Sequence, residues 1–257
     1  MNTEKLLATA VSFLLFGLGG VLLRVLVFPL LACLPGDPLV RRSRARQVVS
    51  WSFELFVRFM FRSGVLTYQV EGAERLGRPG QMIIANHPSL IDVVVLIACL
   101  RDANCVVKQS LWDNPSMRGP IRAAQYISNS GSLDMLDEAA EALRSGECLI
   151  VFPEGTRSTP GQPLQFHRGA AAIAVRGARL VTPVVISVTP TTLTKAEPWY
   201  SIPSRRFHFL LRVGEDVDPQ QFAAQAPLPI ASRKLNDYLH QHFIKELAKD
   251  ERITAGN

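Results

Sequence analysis

Apolar and polar positions along this chain follow two periods, and the first 34 residues follow neither. From Leu6 to Leu34 the residues are apolar or small, and Arg24 is the single charge. Leu6 to Leu23 alone nearly supplies the roughly 20 apolar residues that a bilayer-spanning helix needs. LGGVLLR is a poor cleavage site, so the segment reads as retained rather than removed. Two arrangements fit it: one spanning helix, or a hairpin or tilted segment within one leaflet, bent by Gly17, Gly19, Gly20 and Pro29. VVSWSFELFVRFMFR, Val48 to Arg62, predicts a helix with aromatics on more than one face. It suits the bilayer interface and the cover of a core equally well.

Beyond it, short strand-like runs alternate with helical ones. LTYQVEG begins to alternate, and QMIIAN, Gln81 to Asn86, is a buried strand that stops at His87-Pro88. Pro88 suits a first helical turn, with Ser89 as a cap, and SLIDVVVLIACL continues as an apolar helix. NCVVKQS is the next strand, with Lys108 near its end, and QYIS is a short one. LDMLDEAAEALRSG places Leu133, Leu136, Ala140 and Leu143 on one helical face and stops at Gly146. ECLIVF ends at Pro153, and a small-residue helix begins around Arg168. RLVTPVVISV and RRFHFLLRV are further strands. Leu235, Leu239, Phe243 and Leu247 mark a terminal amphipathic helix.

This order predicts an α/β fold: a mixed, mostly parallel sheet flanked by helices and preceded by N-terminal membrane-associated helices. The chain divides into residues 1–46, a membrane segment with a basic flank, and residues 47–257, an α/β domain whose first helix, 47–65, is the interfacial candidate.

Charge sharpens the picture. The run RRSRAR, Arg41 to Arg46, next to an apolar segment reads as a cytoplasmic flank touching anionic headgroups, and so puts the α/β domain on the cytoplasmic side of a membrane, the inner one in a bacterium. A net charge of +6 agrees with a membrane surface or phosphate-bearing substrates. Nucleic acid is not an expected partner, because no recognition motif or interleaved stacking aromatics accompany the arginines. The four cysteines, Cys33, Cys99, Cys105 and Cys148, lack metal-ligand spacing and read as buried structural thiols. The loop from Lys195 to Arg206 mixes Trp199 and Tyr200 with arginines, which suits either the membrane interface or plain exposure.

The chemistry sits beyond two strand ends. In NHPSLID, Asp92 follows His87 by five positions. If His87 precedes the first turn, Asp92 curls back beneath its ring, fixes the tautomer and stabilises the imidazolium. Such a histidine is a competent general base for an alcohol. No Gly-x-Ser-x-Gly elbow is present, so the alcohol comes from outside. In FPEGTRS, Arg157 offers a planar fork for phosphate, with Gly155 and Thr156 adding donors. Glu154 fits there if it orients Arg157 or accepts from an acceptor hydroxyl. Lys108 is a second candidate phosphate contact.

NHPSLID, CVVKQSLWDNPSMRGPIRAAQYIS, VFPEGTRS and VTPVVIS, in this order and spacing, resemble the four blocks of the glycerolipid acyltransferase family, whose well-known members are 1-acylglycerol-3-phosphate acyltransferases. The likeness runs from Gln81 to Val188 and includes LQFHRGAAAIA. It implies His87 as catalytic base with Asp92 as charge partner. It implies Glu154, Gly155 and Arg157, with Thr156 between them, at the acceptor's glycerol phosphate, and Lys108 nearby. Acyl-coenzyme A or acyl-carrier protein is the implied donor, with membrane lipids as partners and no metal or bound cofactor. In one place the chain departs from the pattern. The second block usually ends in an aromatic-Ile-Asp-Arg-like run, whereas QYISNS puts Ser128 and Asn129 at the acid and arginine. Arg122 and Arg168 are the candidate replacements for that cation. Three readings stay open: 1-acylglycerol-3-phosphate as acceptor, another lyso-lipid such as one with an amino-acid headgroup, and a catalytically idle lipid-binding protein.

Overall fold

A computed structural model describes residues 3–195, 197–198, 200–201, 203 and 205–255, with side chains from residue 6 to residue 250 within those ranges; Trp199 lies outside them. In chain order the elements are α1 (Thr3–Leu22), a π-helical turn (Leu23–Val27), α2 (Phe28–Ala32), α3 (Pro38–Arg62), β1 (Leu66–Glu71), β2 (Gln81–Ala85), α4 (Asp92–Ala98), β3 (Ala103–Lys108), α5 (Arg118–Ala124) and β4 (Ile127–Asn129). They continue with α6 (Leu133–Arg144), β5 (Cys148–Val151), α7 (Gly169–Gly177), β6 (Leu180–Thr189), β7 (Phe207–Val213), α8 (Gln220–Ala223) and α9 (Leu228–Ala255).

The strands form one seven-stranded sheet in the order β1-β7-β6-β2-β5-β3-β4. All neighbours are parallel except β6 and β7. Every residue of β2 and β5 is buried, as strands covered on both faces must be. One face carries Val95, Leu96, Ile121 and Phe53, from α4, α5 and α3. The other carries Ala139, Ala174, Leu235 and Phe243, from α6, α7 and α9. The loops leaving the adjacent strands β2 and β5 therefore run to helices on opposite faces, which opens a crevice at their carboxyl ends. Within α6 the buried stripe is Met135, Ala139, Ala140 and Leu143, whereas Leu133, in its first turn, is 71% exposed.

Residues 3–32 stay helical through a π-helical turn, and Leu6–Ala32 forms one 27-residue apolar helix of mean hydropathy 2.3, long enough to cross a bilayer. One of its glycines, Gly20, marks a close approach to the loop before α5. A side chain on Gly20 would run into the Ser116 carbonyl, and one on Gly119 into Arg24. Phe16 sits 6.0 Å from Phe53 and 5.3 Å from Phe56, ring centre to ring centre, which seats α1 on α3.

The basic run lies inside α3, so the boundary drawn at residue 46 falls within a helix. Arg46 is buried, pairs with Glu147 at 2.9 Å and donates to the Ala124 carbonyl at 3.0 Å; Arg42 also pairs with Glu147, at 2.5 Å. These two arginines bind α3 to the domain, which leaves Arg41 exposed. α3 covers the core with Val49, Phe53, Val57 and Met60 and exposes Trp51, Leu55 and Phe61. Cys105 and Cys148 are buried, but Cys33 is exposed at the end of α2, against the expectation for it. Burial pushes the Cys99 thiol up to about 11 and those of Cys105 and Cys148 to about 12.

Candidate active site

Register brings the two motifs together. Ile84 of β2 pairs with Val151 of β5. His87 and Glu154 each follow by three residues, so they leave the sheet side by side. Asn86 fixes the first exit. Its side chain donates to the Ile186 carbonyl at 2.8 Å and accepts from the Ile186 N–H at 2.7 Å, prolonging the β2–β6 ladder by one step. The sequence reading gave Asn86 no role.

His87 Nδ1 lies 2.8 Å from Asp92 Oδ2, which also accepts the Ser89 N–H at 2.7 Å. The carboxylate thus folds back over residues 87–91 and opens α4 itself, at Asp92. The helix begins there and not at Pro88. Ser89 does not cap it, because its hydroxyl is buried without a partner among the described residues. Asp92 is fully buried, and burial pushes its carboxyl up to about 6 against the lowering pull of the His87 bond and charge and the Ser89 N–H. With Nδ1–H donated to Asp92, Nε2 is the ring atom left to take a proton. The Phe152 ring lies 4.6 Å from the imidazole, centre to centre.

Glu154 does not pair with Arg157. Its Oε1 accepts the His87 backbone N–H at 2.8 Å, and its Oε2 accepts the Ser158 hydroxyl at 2.7 Å. The Ser158 N–H closes the ring by donating to the His87 carbonyl at 2.7 Å. Burial raises the Glu154 carboxyl above its ordinary range, and the Ser158 hydroxyl and His87 N–H oppose it. Gly155 has φ +64, a left-handed conformation that glycine adopts without strain.

Arg157 spends one amino group on the Leu193 and Thr194 carbonyls, at 2.9 Å each. The Leu193 carbonyl also accepts the Leu90 N–H at 3.1 Å, and Leu193 itself sits at φ +54, a rare conformation for a branched residue. Arg157 therefore ties the loop after β6 to the loop after β5, and it lines the cavity.

That cavity measures about 1110 Å³. His87, Lys108, Glu154, Gly155, Thr156 and Arg157 line its polar part. Phe13 and Phe16 of α1, Phe53 and Phe56 of α3, and Val94 and Ile97 of α4 line its apolar part. The apolar N-terminal helix is thus a wall of the site, which hydropathy alone did not reveal. Arg168 and Arg122 are exposed and do not line the cavity; Asn129 does. A partly buried base in a chamber with apolar walls and with Lys108 and Arg157 in its lining suits an ester or amide exchange on a lipid with a charged head.

The Acyltransferase family model matches residues 67–187. A Pseudomonas aeruginosa 1-acyl-sn-glycerol-3-phosphate acyltransferase is 26% identical over 72% of this chain and 72% of its own length. The Saccharomyces cerevisiae enzyme of the same name is 31% identical over 54% of this chain, which spans 48% of it, and a chloroplastic Arabidopsis thaliana one is spanned over 36% of its length. Among solved structures, the 1-acyl-sn-glycerophosphate acyltransferase PlsC from Thermotoga maritima superposes with a TM-score of 0.74 at 25% identity, covering 97% of each chain.

Proposed function

This chain belongs to the glycerolipid acyltransferase family, and we propose that it moves a fatty acyl group from an acyl thioester to the free hydroxyl of 1-acylglycerol-3-phosphate, giving phosphatidic acid. The observation that carries the proposal is the His87–Asp92 pair, 2.8 Å apart, opening on a chamber with apolar walls and with Lys108 and Arg157 in its lining. His87 Nε2 takes the acceptor hydroxyl's proton as the oxygen attacks the thioester carbonyl. The tetrahedral intermediate collapses, the carbon–sulfur bond breaks, and the imidazolium returns the proton to the departing thiolate. Asp92 holds the tautomer and stabilises the imidazolium. The reacting oxygen belongs to the acceptor, so no acyl-enzyme forms.

Glu154 positions His87 through its backbone N–H. Arg157, Lys108, Gly155 and Thr156 receive the glycerol phosphate, with Arg157 supplying the donors not spent on Leu193 and Thr194. The apolar walls hold the fatty chains, and α1 anchors the chain in the membrane with its opening toward the lipid. The donor is acyl-coenzyme A or acyl-carrier protein, delivered on the cytoplasmic side.

Asn129 on the cavity wall supports a second reading, the same chemistry on a lyso-lipid whose head needs one cation fewer. The test is to give the purified full chain one acyl thioester and a panel of lyso-lipids, following free thiol and lipid product together. Thiol release that depends on 1-acylglycerol-3-phosphate and matches phosphatidic acid formed supports the first reading. Preference for an amino-acid-headgroup acceptor moves the assignment to the second. Thiol release without an acceptor makes the chain a thioesterase.

A further inference from the structure

The polar part of the cavity holds a second imidazole that the proposed reaction does not use. His167 lines the cavity beside Gly155 and Thr156, and its side chain is exposed. Its backbone N–H donates to the Pro153 carbonyl at 2.8 Å, which fixes the residue against the FPEGTRS loop. Its ring crosses Gly155 so closely that a side chain there would begin 3.4 Å from Cδ2 and 3.8 Å from Nε2. Among the described residues the ring has no hydrogen-bond or ion-pair partner. The sequence reading sought a replacement cation at Arg122 or Arg168, and neither faces the cavity. The residue just before Arg168 does.

We propose that His167 is a pH-dependent contact for the acceptor's phosphate, donating from its imidazolium in place of the arginine that Asn129 does not provide. The inference rests on the reading of the acceptor as a phosphate-bearing lyso-lipid. A phosphomonoester carries about −1.5 to −2 charges near neutral pH. Lys108 and the remaining donors of Arg157 meet part of that charge at any physiological pH. Histidine changes charge between about pH 5 and 8, so a third donor of this type makes acceptor affinity depend on pH where two fixed cations alone do not. Gly155 lies against the ring: a Cβ there would stand in ordinary van der Waals contact with it.

The charged and titratable groups on the surrounding elements are Glu154 and Arg157 in the same loop, Arg168 next in sequence, and Lys108 and His87 on the cavity wall. Asp134 stands in the first turn of α6, and His240 of α9 packs on Phe166 with ring centres 5.5 Å apart. All of them remain in a His167→Gln protein, as does the titration of the phosphate. The difference between wild type and that variant therefore isolates the imidazole.

The experiment measures equilibrium binding of 1-acylglycerol-3-phosphate to the detergent-solubilised full chain at pH 5.5 and pH 8, for wild type, His167→Gln and His167→Lys. At pH 5.5 wild type should bind about tenfold more tightly than His167→Gln, the size of one charge-assisted hydrogen bond, and at pH 8 the two should converge. His167→Lys should keep the tighter binding at both values. The same pH dependence in all three proteins overturns the inference, and so does an absence of binding. Binding that follows this pattern without acyl transfer sustains it and instead sinks the proposed reaction.

Discussion

Glu154 holds His87 by its backbone: Oε1 accepts the His87 N–H at 2.8 Å while Oε2 accepts the Ser158 hydroxyl. With Ser158 N–H donating to the His87 carbonyl, the end of β2 is clasped to the loop after β5 by two hydrogen bonds, and the Ser158 hydroxyl braces the carboxylate that makes one of them. A base must be held within about 0.5 Å of its productive position, so the clasp bears on rate more than on binding. Ser158→Ala should lower kcat about tenfold with the acceptor KM unchanged, and Ser158→Thr should restore most of it. Steady-state kinetics of the three proteins check this; equal losses in Ala and Thr variants would make Ser158 merely structural.

Asp92 sets the acid limb of the pH profile. Its carboxyl is raised to about 6, chiefly by burial, and it forms a hydrogen-bonded pair with His87. Lowering the pH through about 6 adds a proton to that pair and removes the base. At saturating substrates kcat should be flat above this point and fall about tenfold per pH unit below it. Asp92→Asn should reduce kcat by about 10²- to 10⁴-fold at pH 7.5, since an amide cannot stabilise the imidazolium.

Arg157 grips two carbonyls with one amino group, lines the cavity and in the proposed reaction also receives the phosphate. A lysine has one point donor and cannot do both. Arg157→Lys should raise the acceptor KM about tenfold and speed amide exchange at Leu90, whose N–H shares the Leu193 carbonyl. Unchanged exchange at Leu90 would mean that the Leu193 loop is held without Arg157.

Gly20 and Gly19 give a matched pair on α1. A side chain at Gly20 meets the Ser116 carbonyl, whereas one at Gly19 meets nothing within 4 Å. Gly20→Leu should destabilise the docking of α1 by about 1–3 kcal/mol. Because α1 walls the chamber, activity should fall with it. Gly19→Leu should leave melting temperature and turnover close to wild type, and a comparable loss in both would remove close packing as the cause.

The seven strands were legible as apolar runs, and the C-terminal stripe of Leu235, Leu239 and Phe243 is buried as its spacing required. The start of α4 was not, because Pro88 and Ser89 carry local signals for a helix start that the Asp92 carboxylate overrides by folding back. Of the two roles the motif offers Glu154, orienting Arg157 is the one that the structure does not bear out. Arg157 is nearer in sequence, while the His87 N–H becomes its neighbour only through β2–β5 register. Ser158 stood inside the motif, four residues after Glu154, and that spacing could have marked it. Phe13 and Phe16 could not be recognised as cavity walls, since hydropathy does not distinguish the lipid-facing side of a membrane helix from the side that closes a site. Asn129 was legible as a departure, and only the structure puts His167 rather than Arg168 in the lining of the same cavity.

The central claim is that His87 acts as the general base while an acyl group moves from a thioester to a lyso-lipid hydroxyl. Its most direct test is mass spectrometry of the lipid formed from 1-acylglycerol-3-phosphate and one acyl-coenzyme A by wild type and His87→Ala, with both shown to melt cooperatively at similar temperatures. Wild type should give phosphatidic acid in step with free coenzyme A, and the variant about 10²- to 10⁴-fold less. Equal product from a folded His87→Ala protein, or coenzyme A release by wild type without the diacyl product, would contradict the claim.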